Sequence, residues 1–238
     1  MRKSMFAGAV LAVALVLTTG GGFDLRASET IGAFTTVLGD VQVRNNKAQR
    51  MAAETGMDVE IGHMIKTRDA SVAEIRLADE SLFRVAANSS LVMDEFVLDS
   101  NASRSMTTRL LRGAMQYASK PGLFKSDKRK IFLGNVSASV RGTNFIGIMG
   151  PRYQVILLEG EIELSARSNS VILNRRGQTV FLDPTGTFDE AFILPDEELI
   201  KYGERLGWEI ELPPPPPKIQ IPLQTIACAI VGQMLVCG

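Results

Sequence analysis

The chain reads as an all-β protein, a twisted β-solenoid or solenoid-like sandwich with a short C-terminal helix and hairpin. Three observations predict it. From Ile31 to Phe192 apolar residues recur with period two, as in Val41 and Val43, Ala73, Ile75 and Leu77, Val155 and Leu157, and Ile162 and Leu164. That alternation belongs to half-buried strands, because successive side chains of a strand point to opposite faces. Turn signals interrupt it at short intervals, at Leu38-Gly39-Asp40, Arg68-Asp69-Ala70, Asp79-Glu80-Ser81, Lys120-Pro121-Gly122 and Asn174-Arg175-Arg176-Gly177. One phrase also returns three times, as Val37-Leu38-Gly39-Asp40-Val41, Leu111-Arg112-Gly113-Ala114-Met115 and Leu158-Glu159-Gly160-Glu161-Ile162. A glycine set inside alternation marks a corner, since it accepts positive φ and lets backbones approach.

The elements follow in order. Residues 1–27 form a signal peptide: Arg2 and Lys3 precede an apolar run from Met5 to Leu17, and Ala27 offers a cleavage point. If it stays uncleaved, the same segment anchors the chain in the inner membrane. Cleavage removes Arg2, Lys3, Arg26 and Asp24 and leaves 23 bases and 25 acids, a mildly acidic exported protein, periplasmic or secreted. Residues 31–192 form the β domain. Residues 195–206 form a short helix, with Leu199, Tyr202 and Leu206 on one face, acids first and bases last, weakened by Gly203. Residues 213–217 are five prolines, a polyproline II rod of about 15 Å at ~3.1 Å per residue. Residues 219–238 are apolar and suit a hairpin. A turn at Gly232-Gln233 sets Cys228 opposite Cys237 at a non-hydrogen-bonded pair, the spacing that suits a disulfide. Two free thiols in a frayed tail are the alternative.

The composition argues against several functions. Bases and acids are balanced at 26 each, so no basic excess speaks for nucleic acid, and aromatic residues are too sparse for a stacking platform. His63 is the single histidine and has no nucleophile phrase beside it, so it reads as a surface residue. Neither a zinc nor a phosphate-loop pattern occurs, and no cofactor is expected. Asp94, Glu95, Asp99 and Asn101 read as a solvated turn, and Glu159, Glu161 and Glu163 as the wet side of one strand. Lys120, Lys125, Lys128, Arg129 and Lys130 form a basic loop that could meet an acidic partner, lipid head groups or a glycan. Arg141 interrupts an apolar run. A buried arginine needs partners, so its guanidinium is expected to crosslink the corner that Gly142 turns and Thr143 caps, with contact to an anion as the alternative.

Gly62-His63-Met64-Ile65-Lys66-Thr67, Asp79-Glu80-Ser81, Val140-Arg141-Gly142-Thr143-Asn144-Phe145 and Glu159-Gly160 occur in an order that resembles the FecR domain over about residues 33–182. Within that resemblance Ile65, Thr67, Arg141, Gly142, Thr143, Phe145, Glu159 and Gly160 are the structural motif. It implies a solenoid-like β fold without catalysis. It also implies an extracytoplasmic module that, in the family's namesake, contacts the signalling domain of an outer-membrane iron–siderophore receptor. Three departures matter, one of them the C-terminus of helix, polyproline rod and disulfide hairpin. Four residues precede the hydrophobic segment, so an anti-sigma segment is not expected, and the family's Asp-Gly-Ser turn carries Glu80 in place of glycine. The expected partner is an envelope protein or a glycan, not nucleic acid. Membrane contact is restricted to an uncleaved N-terminus or the apolar tail. The alternative role is an assembly component that associates through that tail.

Overall fold

The computed structural model describes residues 30–99, 103–119, 126–167 and 169–212, with the backbone of 228–231 and 234–237. The signal segment 1–27, the polyproline run 213–217, Lys120 and Lys125 lie outside the described residues. The chain winds between two sheets. β1 (Thr30–Leu38) runs in the first, and at Gly39 the chain crosses to the second, where β2 (Val41–Arg44) and β3 (Arg50–Ala52) form a hairpin. β4 (Asp58–Glu60) returns to the first sheet and β5 (Met64–Thr67) to the second. β6 (Val72–Leu77) and β7 (Leu82–Val85) are a hairpin of the first, and β8 (Ser90–Asp99) belongs to the second. β9 (Ser103–Ala118) begins in the second sheet and ends in the first.

The second half repeats the scheme. β10 (Ser126–Leu133) and β11 (Val136–Val140) join the second sheet, and β12 (Asn144–Met149) and β13 (Tyr153–Glu159) the first. β14 (Ile162–Ala166) and β15 (Asn169–Leu173) return to the second, and β16 (Gln178–Leu182) and β17 (Phe192–Ile193) close the first. The first sheet therefore reads β4-β1-β6-β7-β9-β12-β13-β16-β17 and the second β3-β2-β5-β8-β9-β10-β11-β14-β15. β9 is the middle strand of both, with earlier strands on one side and later strands on the other. Among the described strands the pair β9–β10 is parallel, Ser103–Leu110 against Ser126–Leu133, and the rest are antiparallel.

Inward residues of both sheets meet in one core that includes Val43, Ile65, Ile75, Leu91, Met106, Leu110, Ile131, Leu164 and Val180, all buried. Phe83, Tyr117 and Phe145 lie opposite one another on β7, β9 and β12, with ring centroids 4.8 and 6.1 Å apart. Such cross-strand aromatic pairs contribute about 0.5–1.5 kcal/mol each beyond area burial. On the outer face of the first sheet, Ile146, Ile156 and Leu158 receive α1 (Asp196–Leu206) through Leu199, with Tyr202 and Leu206 beside it. Gly207 ends α1 in the left-handed region, its N–H donating to the carbonyls of Gly203 and Glu204. Gly203 is a packing requirement: a Cβ there would lie 2.7 Å from the Trp208 carbonyl oxygen and from Ile210.

The recurring glycines are the crossings expected from the repeated phrase. Gly39, Gly113 and Gly160 have φ of +76°, +83° and +83°, and each stands where the chain leaves one sheet for the other. A Cβ at Gly160 would strike the backbone oxygen of Gly142. The turn that lacks its glycine pays in conformation instead, with Glu80 at φ +65°. Gly160→Ala should therefore destabilise the protein by about 3 kcal/mol. Glu80→Gly should stabilise it by about 1 kcal/mol. Urea unfolding of the two variants, read by circular dichroism, checks both signs.

Candidate functional site

The motif residues sort by role once the corners are seen. Ile65 and Phe145 are core. Thr67 Oγ1 donates to the Ala86 carbonyl at 2.5 Å and accepts the Ser89 N–H at 2.9 Å. Thr143 Oγ1 does the same at another corner, donating to the Glu161 carbonyl at 2.6 Å and accepting the Arg141 N–H at 3.1 Å. Ser71 Oγ accepts the Asp40 N–H beside Gly39, and Ser89 Oγ accepts the Ala114 N–H beside Gly113, both at 2.9 Å. A buried hydroxyl thus satisfies backbone groups that the sheet ladders leave behind at a crossing, which would otherwise cost about 1–3 kcal/mol each. Gly142 (φ +63°) and Gly160 let two such corners touch. Glu159 is exposed at the end of β13 in the first sheet, whereas Glu161 and Glu163 go with β14 in the second, so the three glutamates do not share a strand face.

Arg141 is exposed, not buried and crosslinked. The corner is held by Thr143 and the two glycines, so no guanidinium is needed inside. The opposite correction applies to Arg129. It is 2% exposed, because β10 alternates and Arg129, Ile131 and Leu133 point inward while Lys128 and Lys130 point out. Arg129 is thus unavailable to a partner.

Arg129 instead closes a buried ring with residues from both sheets. Its Nε and one terminal nitrogen donate to the Asp127 carboxylate at 2.7 and 2.8 Å, and the other donates to Tyr117 Oη at 2.6 Å. Arg104 donates to Asp127 at 2.6 Å and to Asp79 at 2.9 Å. Ser81 completes the circuit, donating to Asp79 at 2.8 Å and lying 3.2 Å from Tyr117 Oη. The side chains of Arg104, Asp79, Asp127 and Arg129 are 2, 0, 8 and 0% exposed. Two cations and two anions cancel. Burial opposes ionisation of Asp127, but hydrogen bonds from Arg104 and Arg129 outweigh it and hold its carboxyl below the ordinary value. Burial likewise works against the charge on Arg129, and Asp127 and Tyr117 more than restore it. Parity would have found this ring: Arg104 precedes Met106, Thr108 and Leu110 at two-residue spacing, on the face that turns inward.

The outward residues of the same strands line an open cleft of about 400 Å³ on the second sheet. Lys130 stands opposite Ser139 and Ser139 opposite Glu163, so two strand spacings, about 10 Å, separate the lysine from the glutamate. Lys128, Arg141 and Glu161 complete the lining. No ion pair joins any of these five charged side chains to another described residue. Three cations and two carboxylates therefore stand solvated in one concavity. The structure brings Lys128, Lys130 and Arg141 together, which the sequence listed under two separate motifs.

His63 is buried, not a surface residue, at 3% exposure. Its Nδ1 accepts the Glu60 N–H at 3.2 Å and its Nε2 lies 3.3 Å from the Glu60 carboxylate. Burial lowers its pKa and Glu60 only partly opposes this. Asp94 and Glu95 lie on β8, not in a turn, where Arg109 donates to Asp94 at 2.5 and 2.7 Å and Ser105 donates to Glu95 at 2.8 Å. Asn101 lies outside the described residues. β18 (Cys228–Val231) and β19 (Met234–Cys237) pair antiparallel with Cys228 opposite Cys237, the expected register. The disulfide itself lies outside the described residues.

Two expectations follow. Asp127→Asn should cost about 3–5 kcal/mol in urea unfolding, because it strands two buried guanidinium groups with one remaining carboxylate. The pH response should have two windows. His63, with a lowered folded pKa, contributes stability that is complete above its unfolded value of 6.5 and lost as pH falls. Asp127 contributes stability that is complete above 3.8 and lost as pH falls through its lower folded value. His63→Gln should flatten the stability slope between about pH 7 and pH 5 while leaving the acid limb in place.

No curated protein matches the chain. Two crystal structures from Parabacteroides distasonis ATCC 8503, each provisionally assigned as an anti-sigma factor, resemble part of the chain. The 1.65 Å structure is 12% identical with a TM-score of 0.49, over 58% of this chain and 63% of that one. The 2.50 Å structure is 13% identical with a TM-score of 0.47, over 60% of this chain and 73% of that one. The chain thus spans less than two thirds of the length of the first. Residues 63–163 match the model of the FecR protein family, a narrower span than 33–182, running from the buried His63 to Glu163 in the cleft. Over these residues the chain is similar to the FecR protein family.

Proposed function

We propose that this protein is an exported, non-enzymatic binding module of the cell envelope that recognises another envelope protein and serves signal transduction. The observation that carries the reading is the cleft of Lys128, Lys130, Arg141, Glu161 and Glu163, whose charges form no ion pairs with any described residue. Charges left solvated on a rigid sheet cost little to carry, and a partner with the complementary pattern gains specificity and association rate from them. A protein surface, with both signs of charge, complements this cleft better than a neutral glycan or an anionic head group. The similarity to the FecR family supports the signalling role by analogy. The cationic start and apolar run of residues 2–17, read as a signal peptide, support the location.

A second reading, an assembly component associating through its tail, draws support from the β18–β19 hairpin in an otherwise charge-free segment. A two-stranded hairpin alone is marginal and gains from adding to something larger. Crosslinked capture from envelope fractions separates the two. The double variant Lys128→Glu, Lys130→Glu should lose its partner about tenfold or more. A version ending at Leu212 should retain it. Loss in the truncated version, with retention in the double variant, would move function to the tail.

A further inference from the structure

Four described strands stand at sheet edges, and three of them are blunted. β3 and β4 have three residues each and carry charge, Arg50 on one and Asp58 with Glu60 on the other. β17 has two residues. Short or charged edges discourage the addition of further strands. β15 differs. It has five residues, Asn-Ser-Val-Ile-Leu, without charge or proline, and pairs with β14 on one side and no described strand on the other. Ile172 is 54% exposed, and Val171 packs only partly against the core. Charge appears just beyond the two ends, as Arg167 before the strand and Arg175 after it, both exposed and neither in an ion pair with a described residue.

The chain itself shows what such an edge takes. In the first sheet β16 accepts β17, whose apolar Phe192 stacks on Phe181 with centroids 5.8 Å apart. Acids stand on either side of that apolar pair: Asp189 reaches Arg152, and Asp196 reaches Arg176 at 3.3 Å. An apolar centre with acidic flanks therefore seats on β16 with an arginine near each end, Arg176 just before β16 and Arg152 just before the neighbouring β13. β15 likewise has an arginine near each end, Arg167 and Arg175, and no described strand on its open side. We propose that β15 is a docking edge that takes an extended segment of a partner protein, apolar in the middle and acidic at both ends, as an added antiparallel strand. A second copy of β15 is the poorer occupant, because antiparallel self-pairing centred on Val171 sets Arg167 of each copy opposite Arg175 of the other. The chain's own apolar tail lacks the acids. The edge adjoins the charged cleft, Ile172 standing opposite Glu163 on β14, but the proposal does not rest on the cleft's role.

The test uses the full-length protein and two synthetic peptides read by fluorescence anisotropy. One is Asp-Glu-Thr-Ile-Thr-Val-Thr-Ile-Glu-Asp, and the other has Lys and Arg in place of its four terminal acids. The acidic-ended peptide should bind about tenfold tighter or more, and Ile172→Lys should abolish its binding. The pair Arg167→Glu, Arg175→Glu should reverse the preference, a gain that an unfolded variant would not show. Lys128→Glu, Lys130→Glu should leave peptide binding unchanged. Equal binding of both peptides, binding of neither, or a preference that survives the arginine reversals would overturn the proposal. So would a dimer that Ile172→Lys dissociates, which would assign the edge to a second copy.

Discussion

Two arginines lie between the sheets of this protein, and their neutralisation constrains everything around them. Arg104 and Arg129 cannot be buried alone, because an uncompensated charge in the interior costs several kcal/mol. Asp127 meets both, Asp79 meets Arg104, and Tyr117 with Ser81 closes the remaining gap. The participants come from the β6–β7 turn and from both halves of β9 and the start of β10. Their distances hold only if the two sheets stand at one separation and one register. Apolar packing tolerates small slips; a closed ring of charge-assisted hydrogen bonds does not. The ring thus adds geometric definition to a core whose cohesion comes from hydrophobic burial.

The same alternation that buries the ring builds the exterior. On β10 the inward parity gives Arg129, and the outward parity gives Lys128 and Lys130 to the charged cleft. A basic run in the sequence is therefore split by the strand into one structural cation and two accessible ones. The corners show the same economy. Thr67 and Thr143 belong to motif phrases far apart in sequence, yet each uses one buried hydroxyl to bridge the carbonyl and amide left over where the chain changes sheets. Within residues 63–163 the motif's threonines and glycines turn and seal the corners between the sheets.

Much of the fold was legible because period-two alternation and glycine at crossings are local properties. Gly39, Gly113 and Gly160 announce three crossings, and Leu199, Tyr202 and Leu206 announce the buried face of α1. The buried ring was less legible, since the pairing of Arg104 with Asp79 and Asp127 depends on which strands become neighbours across the core. Arg141 misled for the same reason: its apolar neighbours in sequence sit on alternate faces, and exposure there follows from the corner, not from composition. His63 misled in the other direction, because Glu60 three residues before it supplies the partners that burial demands. The cleft could not be assembled from sequence at all. Its lysines and glutamates reach the same concavity only through the order β10-β11-β14.

The position of β9 carries a consequence for how the molecule is made. Strands β1–β8 reach one side of it through β7 and β8, and β10–β17 reach the other through β10 and β12, with no other pairing between the two groups among the described strands. A nascent chain emptied as far as residue 118 can assemble the first group and lay β9 on it, yet it then presents unsatisfied backbone along the whole far side of a sixteen-residue strand. At that stage Asp79 can already hold Arg104, while the second carboxylate and second guanidinium have yet to arrive. Such a half-built protein is sticky along one seam, and the seam is healed by whatever supplies β10 and β12. The strands up to β9 and those from β10 onward therefore need each other, and the chain's most vulnerable moment during synthesis is the interval between them.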